Sequence, residues 1–127
     1  MAYLDIVTAL AVLQFVFFGA QVARARGRYG IKAPATGGNL IFERYFRVQQ
    51  NTLEQLVVFI PGLYLFGHYF NPAIGAILGL VYLVGRQLYA LTYVKDPARR
   101  GPGYLVTVLP ILILVIGGLF AAVRSLL

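Results

Sequence analysis

FERYFRVQQNTLEQ, residues 42 to 55, decides how this chain is read. It sets two arginines, two glutamates, three glutamines and an asparagine inside a 127-residue sequence that is 60% hydrophobic and only 12% charged. At about 100° per residue, Arg44, Arg47, Asn51 and Glu54 fall within one helical stripe roughly 80° wide. Charges at membrane depth are expensive and normally face a bundle interior, a partner or a water-filled cavity. The stripe is therefore a candidate ligand-binding wall.

Outward from it the chain is lipid-like, with a mean hydropathy of +0.78. Four apolar stretches can be drawn, Tyr3 to Ala23, Arg44 to Phe66, Ala73 to Tyr93 and Tyr104 to Val123. Each approaches the ~20 residues a spanning helix requires. In lipid the backbone must satisfy its own hydrogen bonds, and strand alternation is absent, so the expectation is an all-α membrane protein. It is read as one domain over residues 1–127, a bundle of four transmembrane helices, with the first stretch retained as a span. Gly75, Gly79 and Gly117 suit close helix packing.

Charge placement sets the topology. The net charge of +7 invites a nucleic-acid reading, but Arg24, Arg26, Arg28 and Lys32 occupy the first connection and Lys95, Arg99 and Arg100 the third. With four spans those two loops share a side, which the positive-inside rule makes cytoplasmic. No nucleic-acid partner is expected. Topology and contact with anionic lipid account for Arg24, Arg28 and Lys32 as readily as a ligand does. The absence of cysteine and a single histidine, His68 in the turn after the second stretch, argue against a metal site.

The third stretch carries a second stripe, Tyr82, Arg86, Tyr89 and Tyr93, within an arc of roughly 60°. Arg86 needs a carboxylate or carbonyl partner, and Glu43 or Glu54 is the available anion if the two stripes face each other. Glu43, Arg44 and Arg86 are accordingly read as structural polar pairing. The segment KDPARRGPG, residues 95 to 103, is a turn that delivers Arg100 to the mouth of the bundle.

FERYFRVQQNTLEQ and GLVYLVGRQLYALTY, residues 79 to 93, followed by the arginine turn, resemble the MAPEG family. These are the membrane-associated proteins in eicosanoid and glutathione metabolism, including microsomal glutathione transferases and leukotriene C4 synthase. The resemblance implies a homotrimer that binds glutathione between neighbouring subunits. It implies Arg26, Arg47, Gln49, Asn51, Glu54, Tyr89 and Tyr93 as glutathione contacts and Arg100 as the catalytic arginine that stabilises the thiolate. The activity implied is that of a glutathione transferase or peroxidase acting on hydrophobic electrophiles or lipid hydroperoxides, with glutathione as co-substrate and no metal.

Two features depart from the family pattern: Gln55 stands where leukotriene synthase-like members have tyrosine, and Arg24-Ala25-Arg26-Gly27-Arg28 replaces an adjacent arginine pair. These departures point to a bacterial member in the inner membrane, or the endoplasmic reticulum if the source is eukaryotic. The alternative is a non-catalytic lipid binder of the lipoxygenase-activating type. A small cation transporter using Glu54 fits poorly, because four arginines along the site repel its cargo.

Overall fold

The computed structural model describes residues 1–127 and consists of four long helices. They are α1 (Ala2–Tyr29), α2 (Leu40–Tyr69), α3 (Pro72–Lys95) and α4 (Gly101–Arg124), with a short 3-10 turn at Pro97–Arg99. Helices α1, α3 and α4 are each long and apolar enough to cross a membrane. At 30 residues α2 is the longest, and its N-terminal half holds the polar stretch Phe42 to Gln55.

The helices overrun the apolar stretches because their ends are set by caps rather than by hydropathy. Helix α1 continues through the arginine-rich RARGRY segment and stops at Gly30, whose φ of 68° is the left-handed conformation that glycine adopts without penalty. Asn39 starts α2, its Oδ1 accepting from the backbone N–H groups of Ile41 at 2.9 Å and Phe42 at 3.0 Å. Asn71 does the same for α3 through Ile74 N at 2.9 Å, with Pro72 in the first turn.

Only 31 of the 127 residues are buried, and the apolar side chains of all four helices point outward along much of their length. That distribution suits a lipid surround. The principal core lies in the half of the bundle remote from the polar stretch: Leu4 and Val7 of α1, Phe59, Leu63 and Phe66 of α2, and Leu114 of α4 pack together. Phe59 stacks on Tyr82 of α3 with ring centroids 3.8 Å apart. Small residues permit this density. A Cβ on Gly79 would lie 2.5 Å from Val7 Cγ1, and one on Gly117 would lie 2.9 Å from the Phe66 ring.

Helices α3 and α4 approach most closely of all. A Cβ on Gly85 would meet the backbone of Val106 and Thr107 at 2.6 and 2.7 Å, and one on Gly103 would meet the backbone of Tyr89. These two contacts pin the start of α4 against the end of α3, and so fix where Arg100 and Tyr104 stand relative to Tyr89 and Tyr93.

Candidate functional site

Three helices converge on one cleft of about 530 Å3. Helix α2 contributes Arg47, Asn51, Glu54 and Gln55, α3 contributes Tyr89 and Tyr93, Arg100 enters from the end of the 3-10 turn, and Tyr104 from the first turn of α4. A neighbouring cavity of about 420 Å3 shares Arg47 and Tyr93 with it and is lined further by Glu43 and Arg44, so the cleft continues along α2 toward the first loop.

The walls combine fixed charge with unspent hydrogen-bonding capacity. Arg47 and Glu54 form the chain's one ion pair, at 3.6 Å and half exposed on both sides. Such a pair contributes little stability and gives way readily to a ligand that offers each partner an opposite charge. Asn51 is 8% exposed, and its Oδ1 finds no hydrogen-bond partner within the chain. A buried acceptor left open in a cleft wall asks for a donor from a bound molecule. Arg100 is exposed and spends a single N–H on its own turn, donating to the Pro97 carbonyl at 2.9 Å. Tyr89 and Tyr93 stack on each other with centroids 5.4 Å apart, which holds both phenols at the cleft.

Directly behind Tyr89 lies a sealed polar group. The Arg86 guanidinium is fully buried, sits 4.4 Å from the centre of the Tyr89 ring and donates to Thr52 Oγ1 at 2.9 Å. Thr52 Oγ1 in turn donates to the Val48 carbonyl at 2.7 Å. Contrary to the expectation of a carboxylate partner, neither Glu43 nor Glu54 reaches Arg86. Glu54 lies on the cleft side of α2 with Arg47, whereas Thr52 is the α2 residue turned toward α3 at that level. The tyrosine-arginine stripe of α3 divides accordingly, with Tyr82 and Arg86 inside the bundle and Tyr89 and Tyr93 at the cleft. Arg44 does act structurally, donating to the Val94 and Lys95 carbonyls at 3.1 and 3.2 Å and so closing the end of α3.

Arg26 and Gln49 are not brought to the cleft. Gln49 lies about 200° around α2 from Arg47, toward α1, where a Cβ on Gly19 would come within 3.0 Å of its Nε2. Arg26 donates to the Ala35 carbonyl at 2.6 Å and lies 4.9 Å from the centre of the Phe42 ring. Two cleft residues were not singled out from the sequence as contacts, Gln55 and Tyr104. Tyr104 was legible as the residue four beyond Arg100, one helical turn away, once α4 is known to begin at Gly101.

A family model, that of the MAPEG family, matches residues 4–120. The chain belongs to the MAPEG family. An uncharacterized protein of Synechocystis sp. is 48% identical over 116 residues, covering 91% of this chain and 85% of that protein. Mouse microsomal glutathione S-transferase 2 is 40% identical over 111 residues, 84% of this chain and 76% of the relative. Leukotriene C4 synthase of Cavia porcellus is 38% identical over 99 residues, 78% and 66% respectively. With three helices apolar and long enough to span, this MAPEG chain is an integral membrane protein.

Proposed function

We propose that the chain is a membrane-embedded glutathione transferase, with peroxidase activity toward lipid hydroperoxides, that activates glutathione as the thiolate. The observation that carries this reading is the meeting of Arg47, Asn51, Glu54, Tyr89, Tyr93 and Arg100 around one cleft. Its volume falls in the about 300–1,000 Å3 range typical of small-molecule sites. Relatives named glutathione S-transferase and leukotriene C4 synthase support it.

Each group has a counterpart in the tripeptide. Arg47 takes a carboxylate, Glu54 the amino group, and Asn51 an amide N–H at its open acceptor. Arg100 then stands at the thiol. A thiol with a pKa of about 8.5 is mostly protonated at neutral pH, and lowering it by ~2 units requires about 2.7 kcal/mol of preference for the anion. A guanidinium that never loses its proton supplies that preference as the bound ligand displaces water from it. Tyr89 or Tyr93 donates a further hydrogen bond to the sulfur. Glutathione enters from water, and its thiolate sulfur forms a C–S bond to a hydrophobic electrophile arriving from the bilayer. The leaving group departs with the electron pair of its own bond or, for an epoxide or enone, the electrophile's oxygen or carbon takes up a proton from water. Reduction of a lipid hydroperoxide consumes two glutathiones, which leave as the disulfide, and yields the alcohol and water.

Arg26 and Gln49 enter this reading only through a second copy. They face away from the cleft of their own chain, so each reaches a bound tripeptide across a subunit boundary, in keeping with four spanning helices per chain, a homotrimer and shared sites. Loops one and three lie on the cytoplasmic side in this arrangement.

The test is the ultraviolet difference spectrum of purified protein on adding glutathione. A thiolate band in the wild type that is lost in Arg100→Ala supports activation. No band and no glutathione binding, with fatty acid bound instead, establishes the non-catalytic lipid binder and overturns the transferase reading.

A further inference from the structure

A second polar pocket lies apart from the cleft, between α1 and α2. It has a volume of about 150 Å3 and is lined by Gln21, Arg24, Ala25, Arg28, Tyr29 and Tyr45. Arg24 and Arg28 are one turn apart on the same face of α1. Neither donates a hydrogen bond to any acceptor of the chain, and neither meets a carboxylate, because the single ion pair belongs to Arg47 and Glu54. The Arg28 guanidinium lies 5.5 Å from the centre of the Tyr29 ring, which holds the aromatic wall beside the charge. The pocket has two unspent guanidiniums, an amide and two phenols, and it is too small for a tripeptide.

Its depth identifies the ligand class. Exposed large hydrophobic side chains run along α1 as far as Phe17 and then cease for the rest of that helix; on α2 none occurs between Ile41 and Leu53. Arg24 is seven residues beyond Phe17, about 10 Å along the axis. Gln21, about 6 Å beyond Phe17, places the inner end of the pocket in the headgroup layer, which adds about 5–8 Å on each side of the membrane. Arg24 stands at the outer edge of that layer, with its side chain leaning back toward the N-terminus of α1 and so toward it. Tyrosines with an apolar body and a polar tip belong at the same level. Paired guanidiniums match phosphate oxygens in geometry as well as charge.

We infer that this pocket binds the phosphate of an anionic lipid headgroup. The diester enters between Arg24 and Arg28 with Gln21 and Tyr45 donating to its remaining oxygens, while its acyl chains lie along the exposed apolar face of α1 below. None of its residues lines the cleft and none is among those assigned to glutathione; Arg26, between Arg24 and Arg28 in sequence, lies about 200° around α1 from Arg24, so the site does not rest on the glutathione reading.

The experiment compares the melting temperature of the full chain in detergent with added dihexanoyl-phosphatidylglycerol, dihexanoyl-phosphatidylcholine or inorganic phosphate at matched ionic strength. Wild type is expected to rise by several degrees with the glycerol lipid and not with the other two. Arg24→Gln/Arg28→Gln loses the rise, and Arg24→Lys/Arg28→Lys keeps the charge and part of the rise, which separates charge from a folding defect. A rise that survives in the glutamine variant, or equals that with phosphatidylcholine, overturns the proposal; an equal rise with inorganic phosphate overturns the lipid headgroup in favour of a soluble anion. The glutathione thiolate band measured on the same preparations reports the cleft separately.

Discussion

Arg86 and Arg100 flank the same tyrosine under opposite solvation. Behind Tyr89, Arg86 is fully buried against Thr52 and the aromatic ring, with Nε and Nη1 left without partners. At the mouth, Arg100 is exposed and tethered only to its own turn. The inner group is fixed by packing whatever its charge does, and so it sets the position of the wall. The outer group has little to hold it, and so its charge is available to a ligand. Residue type alone does not separate structure from chemistry here; the depth at which each guanidinium sits does.

The largest expected effect is therefore on the inner arginine and on stability. Arg86→Ala removes a fully buried long side chain and its hydrogen bond to Thr52, which costs about 3–5 kcal/mol. A collapse of the melting temperature in detergent is the readout. Arg86→Met sharpens the comparison by retaining volume without charge. Recovery of both melting temperature and thiolate band in that variant assigns Arg86 to packing alone; recovery of stability with a displaced pH profile shows that its charge also reaches the cleft.

Arg100→Ala is expected to do the reverse. An exposed side chain away from the core changes stability by no more than about 0.5 kcal/mol. Loss of the anion's stabilisation, about 2.7 kcal/mol, lowers the thiolate population at low pH by roughly 100-fold. On the proposed assignment, in which Arg100 favours the deprotonated form of glutathione, its removal moves the half-rise of the pH–rate profile upward, from about 6.5 toward about 8.5. A profile that stays in place breaks the comparison, since the mouth arginine is then no more chemical than the buried one.

Gly103→Ala tests whether the mouth depends on the helix contact beneath it. The added methyl meets the backbone of Tyr89, so α4 must move away from α3. Overpacking of this kind costs about 1–3 kcal/mol. The shift carries Arg100 and Tyr104 with it, and a fall in kcat/KM of about 10–100-fold is expected at temperatures where the protein remains folded.

The sequence made the mouth more legible than the wall. Periodicity gave the angular positions of Arg47, Asn51 and Glu54, and the structure brings them together with Tyr89, Tyr93 and Arg100. Angle says nothing of depth, and for that reason periodicity offers Arg86 a glutamate partner, whereas the structure gives it Thr52 and turns Glu54 to the other side of α2. Helix ends differ from the apolar stretches for a related reason. Hydropathy falls at Arg24, but the helix persists to Gly30 because arginine is a good helix former and long side chains carry their charge out to water. Placing the start of α4 at Tyr104 rather than Gly101 likewise hid the one-turn spacing that puts Tyr104 beside Arg100.

The smallest expected effect comes from Gln55→Tyr, at the position where the chain departs from the pattern of leukotriene synthase-like members. Gln55 is half-buried in the cleft lining, and water can serve its amide or a phenol in its place. One exchanged hydrogen bond is worth about 1 kcal/mol or less, so glutathione affinity, titrated through the thiolate band, should change by no more than about fivefold. A larger change in either direction means that position 55 is held as strictly as Thr52 behind it. Tolerance at 55 beside intolerance at 86 ties the site's rigidity to the packed wall and leaves its mouth free to vary with the substrate.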